Sequence, residues 1–335
     1  MASIKDVARL AGVSVSTVSR VLAGSARVDD DTKRKVDKAI EAINYKPNLL
    51  AQGLRSKSGY VIGLVVPEIQ HETFSNFIRY TEQEVSAIGY NLIIGNTRGK
   101  PDIEGDFIDS LLRRHVDGII FSRVSDKSHV MKMVEKWNIP IVIMDRALDH
   151  EDVATVVLDN YRAGMIAAEH LVGLGHRKFA VITGPQDIAL SRERLKGFTD
   201  VLERHGLFLT GRNIFEGNFK FNSGLEAGKY LLENKIEFTA LWAQNDLMAV
   251  GAMNIFALNN LRMPEDISVV GMDNISSAEM ILPALTTIVQ PFQEMCHRAV
   301  GLIVAIKNGD KPKENRIVLA PDIIIRESTS AHREK

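Results

Sequence analysis

The chain holds a single cysteine, Cys296, among 335 residues, so no internal disulfide can staple it, and a reducing compartment suits it. No apolar run approaches the ~20 residues that a membrane helix needs. The opening Met-Ala-Ser-Ile-Lys-Asp lacks the long apolar stretch of an export signal. Aromatic residues are scarce at 6%, with two tryptophans, and 10 prolines and 24 glycines are too few for a collagenous or low-complexity chain. Bulk charge is nearly absent as well, at −1. These absences leave a globular protein expected in the cytoplasm, with room for about two domains and a small appendage.

The small net charge conceals an uneven distribution. Residues 1–58 carry eleven Lys/Arg against six Asp/Glu, a surplus of five, so the remainder carries −6. A basic head on an acidic body points to a polyanionic partner for the head alone.

The head reads as short helices. In Ile4–Ala11 the apolar residues at 4, 7, 8 and 11 share one face, and Ser3 is placed to cap it. Gly12-Val13 breaks the run, Ser14 caps Val15–Leu22, and Asp29, Asp30 and Asp31 precede Thr32–Ile43 with the sign the helix dipole favours. The third helix stops at Asn44-Tyr45-Lys46-Pro47. The first two helices, joined by a glycine turn, form a helix-turn-helix pattern. Val18, Val21 and Leu22 would face inward, leaving Val15, Ser16, Thr17, Ser19 and Arg20 outward or partly so. Arg20 could pair with a guanine and Val15 could touch a thymine methyl. An ordinary helical hairpin would use the same pattern; the positive surplus argues for DNA. Residues 48–58 fit neither a stable helix nor a strand and read as a linker that orders only with help.

From Tyr60 onward, near-continuous Val/Ile runs alternate with amphipathic segments. The runs are Tyr60–Val66, Asn91–Gly95, Gly118–Phe121, Ile139–Met144, Phe179–Thr183, Thr239–Trp242 and Ile267–Gly271; the segments include Phe74–Ile88, Asp159–Leu174 and Asp246–Asn259. Such runs suit strands buried on both faces, and the alternation predicts an α/β body of two doubly wound parallel-sheet lobes. Ligands bind beyond the carboxyl ends of such strands. Those ends carry Ser122-Arg123, Asp145-Arg146, Asn245-Asp246 and Asp273-Asn274, a set suited to gripping hydroxyls, with Phe74, Phe219 and Trp242 available to cover an apolar ring face. Catalytic and metal readings find no support: the nine histidines are scattered, His170 and His176 lack i, i+4 spacing, and no glycine fingerprint cradles a phosphate. No enzyme activity, cofactor or metal is expected.

The segments IKDVARLAGVSVSTVSRVL, NYKPNLLAQGLRS and VIGLVVP, followed by GLGHRKFAVITG, RERLKGF, NDLMAVGA and ISVVGMDN, resemble the LacI/GalR family of bacterial transcription regulators along nearly the whole chain. The resemblance implies a headpiece at 1–46, a hinge helix or linker at 47–59, and a core at 60–335 of periplasmic-binding-protein type. Lobe 1 would take about 60–159 and 292–320, and lobe 2 about 160–291 and 321–335. It implies a homodimer on a pseudo-palindromic double-stranded operator, without membrane contact and controlled by a small effector. Val15, Ser16 and Arg20, with Thr17, match the DNA-contacting helix; Leu54, beside Arg55, matches a leucine wedged into the minor groove. Asp145, Arg194, Asn245 and Asp273 match effector contacts, with Phe74, Arg146 and Phe219 at more variable positions.

Two departures stand out. Gln52-Gly53 replaces a frequent Arg-Ser, and a helical glycine costs about 1 kcal/mol, so the hinge is expected to be unformed away from DNA. Gln70-His71-Glu72-Thr73-Phe74 replaces a frequent Ser-Asn-Pro-Phe-Phe, losing one aromatic and gaining an acid. A sugar or small polyol is favoured as effector over a purine-like co-repressor, which needs more stacking surface. An exported solute-binding protein is the rival reading. Residues 330–335 lack leucine heptads, so a dimer rather than a tetramer is expected.

Overall fold

The computed structural model describes residues 2–22, 28–45, 59–124, 139–146, 153–310 and 314–332. It divides into two compact units, residues 1–59 and 60–335. In the first, α1 (Ile4–Ala11), α2 (Val15–Leu22) and α3 (Asp30–Ala42) enclose a small core of Val7, Ala8, Val18, Val21, Val36 and Ala39. Gly12 ends α1 at φ 66°, and its N–H returns to the carbonyls of Ala8 and Arg9, a left-handed cap that suits a residue without Cβ. At the start of α1, the Asp6 carboxylate accepts from both the Ser3 N–H (2.9 Å) and its hydroxyl (2.7 Å). Asp29 caps α3 by accepting from the Thr32 N–H at 2.9 Å, which draws Asp30 and Asp31 into the first turn and starts the helix two residues before Thr32.

The second unit contains two six-stranded sheets. The first is built from β1 (Val61–Val66), β2 (Asn91–Asn96), β3 (Gly118–Phe121), β4 (Ile141–Met144), β5 (Ala154–Leu158) and β11 (Arg316–Leu319), in the order β2-β1-β3-β4-β5-β11, all parallel. The second is built from β6 (Phe179–Thr183), β7 (Ile214–Glu216), β8 (Ala240–Ala243), β9 (Ser268–Asp273), β10 (Thr286–Val289) and β12 (Asp322–Ile324), in the order β7-β6-β8-β9-β10-β12. It is parallel except for β12, which runs against β10. Both lobes therefore repeat one winding order and complete it with a strand from the C-terminal segment.

Helices cover both faces of each sheet. On β1, Ile62, Leu64 and Val66 pack against α4 (Glu72–Ala87) and α11 (Phe292–Lys307), while Val65 faces the opposite layer with α5 (Glu104–Arg113). That period-2 sharing between two cores is what makes the run uniformly apolar. In the other lobe, α6 (Asn160–Gly173) and α7 (Ala189–Arg204) cover one face, and α8 (Phe221–Glu233) and α9 (Asp246–Leu258) the other. A short α10 (Ser277–Met280) follows β9. The chain passes between lobes three times, from β5 into α6, from β10 into α11, and from β11 into β12. Among the described residues, no helix is long and apolar enough to cross a membrane.

The C-terminal segment is held by a buried imidazole. His176 Nε2 lies 3.2 Å from the Ser330 carbonyl and must donate to it, so Nδ1 accepts from the Thr239 hydroxyl at 2.9 Å. Burial pushes His176 down to about 4, only partly offset by the Ser330 carbonyl, with His332, His170 and Arg177 acting in the same direction as burial. A histidine whose folded value lies below its unfolded one contributes stability that is present above about pH 6.5 and lost as pH falls toward 4. Urea midpoints measured from pH 7.5 to 4.5 should fall across that window, and His176→Gln should flatten the slope; an unchanged slope in the variant would refute the assignment.

Candidate functional site

The N-terminal unit presents α2. Ser14 caps it, accepting from the Thr17 N–H at 3.1 Å, and its hydroxyl lies 2.7 Å from that of Ser16 and 2.8 Å from that of Thr17. Ser16 and Arg20 are exposed, and Thr17 and Ser19 are half-buried. Val15 is also half-buried, because it packs partly against the headpiece core, while Leu22 is less enclosed than Val18 and Val21. An exposed serine and arginine four residues apart on one short helix match what groove reading requires. Leu54 and Arg55 lie outside the described residues.

The larger unit gathers the other expected residues where strands end. Asp145 follows β4 with φ 73°, and Asp273 ends β9 with φ 113°; Phe219 and Asn274 are likewise left-handed, at 64° and 56°. Four non-glycine residues in that region around one cleft is strain concentrated at a site. The Phe219 ring lies where a Cβ on Gly184 would stand, so Gly184 makes its position possible. Asn245 caps α9: its Oδ1 accepts from the Met248 N–H at 3.0 Å and its Nδ2 donates to the Phe219 carbonyl at 2.8 Å.

Arg194 lies 4% exposed and donates to Asn160 Oδ1 and the Gln244 carbonyl, both at 2.9 Å. Burial lowers its pKa, opposed by the charges of Asp273 and Asp145. Burial raises both those carboxyls, opposed at Asp145 by Arg146 and then Arg194, and at Asp273 first by Arg194. Arg146 Nε sits 3.8 Å from Asp145 Oδ2. The Gln290 amide, at the end of β10, donates to Asp273 Oδ1 at 2.6 Å.

Several residues sit differently from the sequence-based expectation. Trp242 is fully buried and stacks on Phe198, with centroids 4.8 Å apart, because it lies within β8 and faces the helix layer rather than the cleft. Asp246 is also fully buried. It accepts from the Thr287 hydroxyl at 2.6 Å and the Ile275 N–H at 2.9 Å, pinning the turn after β9 from behind. Burial, then the Asp273 charge, raise its pKa well above the ordinary carboxylate range. Phe74 belongs mostly to the lobe 1 core, with its ring 5.7 Å from that of His71.

Residues not singled out from the sequence join the lobes. The Thr73 hydroxyl donates to Asp273 Oδ2 at 3.0 Å, and Asn245 Nδ2 meets His71 Nε2 at 3.2 Å. Glu72 Oε1 accepts from the Ser276 N–H and hydroxyl, each at 2.6 Å. All three lobe 1 residues, the N-cap and first two residues of α4, belong to the segment that departs from the family pattern, the one signal available beforehand. Two recesses open in this unit, the larger of them lined by the bridging residues Glu72, Asp273 and Ser276. One of ≈240 Å³ is lined by Asp145, Arg146, Leu158, Asn160 and Leu190, and one of ≈930 Å³ by Arg79, Asp273, Gln290 and Phe292. Among the described residues, no group of three or more His, Cys, Asp or Glu is placed to hold a metal.

Acceptors, donors and two arginines gathered where strands end are chemically suited to a polar solute, and with a helix-turn-helix in the same chain they give the architecture of a ligand-responsive transcription regulator. The family model described as bacterial regulatory proteins, lacI family, matches residues 3–48, and a periplasmic binding protein-like domain matches 168–329. The HTH-type transcriptional regulator DegA of Bacillus subtilis is 33% identical over 98% of both chains. The ribose operon repressor of Escherichia coli is 32% identical over 98% of this chain and all of that one. The crystal structure of the lac repressor dimer bound to operator and the anti-inducer ONPF superposes with a TM-score of 0.89, at 28% identity over 98% of this chain and 99% of that one. The chain belongs to the LacI family of bacterial regulatory proteins.

Proposed function

We propose that the protein is a cytoplasmic repressor that binds a pseudo-palindromic operator as a homodimer and whose hold on DNA is set by a small polyhydroxylated effector, most simply a sugar. The observation carrying this reading is the pairing, in one chain, of an exposed Ser16 and Arg20 on α2 with a buried Asp145, Arg194, Asn245 and Asp273 between the lobes. In this reading Val15, Ser16, Thr17 and Arg20 meet base edges and phosphates, and Leu54 and Arg55 in the 47–59 linker meet the minor groove. Hydroxyls pair with Asp145, Asp273, Asn245 and Arg194, while Arg146 borders them and Phe74 and Phe219 supply apolar surface. The site holds its solute without turning it over. The relatives include both a ribose operon repressor and PurR repressors, so the preference for a sugar rests on the small aromatic contribution to the cleft.

An effector changes operator affinity only through unequal affinity for two postures of the lobes. Fluorescence anisotropy on a palindromic duplex, with and without D-ribose, tests the reading. Binding should weaken steeply with salt. Arg20→Ala should cost about 1–3 kcal/mol on the specific duplex and much less on a scrambled one. Salt-insensitive binding, or an equal loss on both duplexes, would overturn the assignment.

A further inference from the structure

Three consecutive residues of lobe 1 occupy three polar groups of lobe 2. The Thr73 hydroxyl on Asp273 Oδ2 is the contact a sugar hydroxyl would make with that carboxylate. His71 takes an amide hydrogen of Asn245, and Glu72 takes both the N–H and hydroxyl of Ser276. Asn245 Oδ1 receives the Met248 N–H, which fixes the orientation of the amide and makes His71 Nε2 the acceptor, so the ring proton sits on Nδ1. That Nδ1 is buried without a partner, as is Oε1 of Gln290, a residue 3% exposed beside Asp273. The bridges thus satisfy the cleft incompletely, leaving a donor and an acceptor unused, and an unpaired buried polar group favours any ligand that completes it.

We propose that His71, Glu72 and Thr73 are a built-in surrogate for the effector: they hold the lobes together in its absence, and an effector binds by displacing them with its own hydroxyls. This rests on reading the cleft as the effector site. The tripeptide is then the specificity-determining element of the cleft, since a ligand must outcompete a hydroxyl at Asp273 and an imidazole at Asn245 while also meeting the unused acceptor of Gln290. A ligand whose site is free only part of the time binds with an affinity reduced by that fraction, so releasing the surrogate raises apparent affinity.

Two measurements on the full-length protein test this. Spin labels at the exposed positions Gln83 and Lys229, one per lobe, report interlobe distance without ligand. The unsubstituted pair should give one short, narrow distribution. Glu72→Ala with Thr73→Val should give a longer, broader one, and Thr73→Ser, which keeps the hydroxyl, should match the unsubstituted protein. Calorimetric titration with D-ribose, D-glucose and cellobiose should show about tenfold tighter binding to Thr73→Val of whichever sugar the unsubstituted protein binds. A distance unchanged in the double variant overturns the proposal, and so does equal or weaker sugar binding by Thr73→Val. If the distance shifts and none of the three sugars binds either protein, the surrogate is supported and the sugar reading is what fails.

Discussion

Replacing Arg194 with methionine should abolish the effector response while leaving the headpiece able to bind DNA. The guanidinium is enclosed, ties Asn160 at the start of α6 to the Gln244 carbonyl beside β8, and is the leading positive charge acting on Asp273. Removing one member of a buried charged set leaves the others uncompensated, which costs about 3–5 kcal/mol. Separately, an effector that pairs with the guanidinium should lose about a hundredfold in affinity, within the range for truncating one partner of a buried charged pair at a binding site. The defect should also depend on pH in a defined direction. An acid whose folded pKa lies above its unfolded one costs stability once pH passes the unfolded value, and the cost grows until the folded value is reached. Asp145 and Asp273 are already raised, and without Arg194 they rise further. The stability deficit of Arg194→Met, read from urea midpoints, should therefore be larger at pH 7.5 than at pH 5. An equal deficit at both values, or a normal effector response, would show that the guanidinium does not neutralise these carboxyls.

Gly164→Val should be strongly destabilising. Gly164 of α6 lies against the Arg194 carbonyl of α7, and reciprocally Gly197 lies against the Tyr161 carbonyl, so the two helices touch backbone to backbone. A side chain there meets a carbonyl that cannot rotate away, and the helices must separate. Overpacking a core costs about 1–3 kcal/mol where side chains can yield, and a backbone obstacle places this variant at or above the top of that range. A unit spanning residues 60–335 loses roughly 2 °C of melting temperature per kcal/mol, so a drop of about 5 °C or more is expected by calorimetry. Gly301→Ala is the control: Gly301 lies within α11 with nothing within 4 Å of an added Cβ. That variant should melt at or slightly above the unsubstituted protein, since alanine favours a helix interior. Equal melting of the two variants would contradict the close crossing.

The same crossing marks a limit of what is legible in the amino-acid order. Six of the seven strands apparent as Val/Ile runs are buried on both faces, so hydropathy alone marks them; the seventh, β2, lies at a sheet edge and is largely open, with Ile94 44% exposed. The edge strands β7 and β12 span three residues each and escape any periodicity. In β10, Thr286 and Thr287 are fully buried polar residues, tolerated because the Thr286 hydroxyl accepts from the Arg326 N–H and the Thr287 hydroxyl donates to Asp246, and no local pattern announces such partners. Most of the headpiece was legible because its signals are local, namely Gly12 as a stop, Ser14 as a cap, acids ahead of the third helix and a 3.6-residue stripe. The start of α3 lies two residues earlier than expected because Asp29, not anticipated as its cap, caps it. In the cleft, the strand-end rule located Asp145, Asn245 and Asp273, but it misplaced Trp242, which lies one turn of the pleat too early. It also passed over His71 and Thr73, whose partners stand 174 and 200 residues away. Gln290 would have joined the list had β10 been recognised.

Because α11 and β11 belong to the first lobe and β12 to the second, neither lobe is encoded by one uninterrupted stretch. A ribosome that has released residues 60–290 has made most of both sheets and finished neither: one still lacks the Phe292–Ile303 layer of its interior, and the other its outermost strand. The two halves must therefore mature together in the last moments of synthesis, whereas the three-helix head, whose core is closed by residue 45, is free to form long before them.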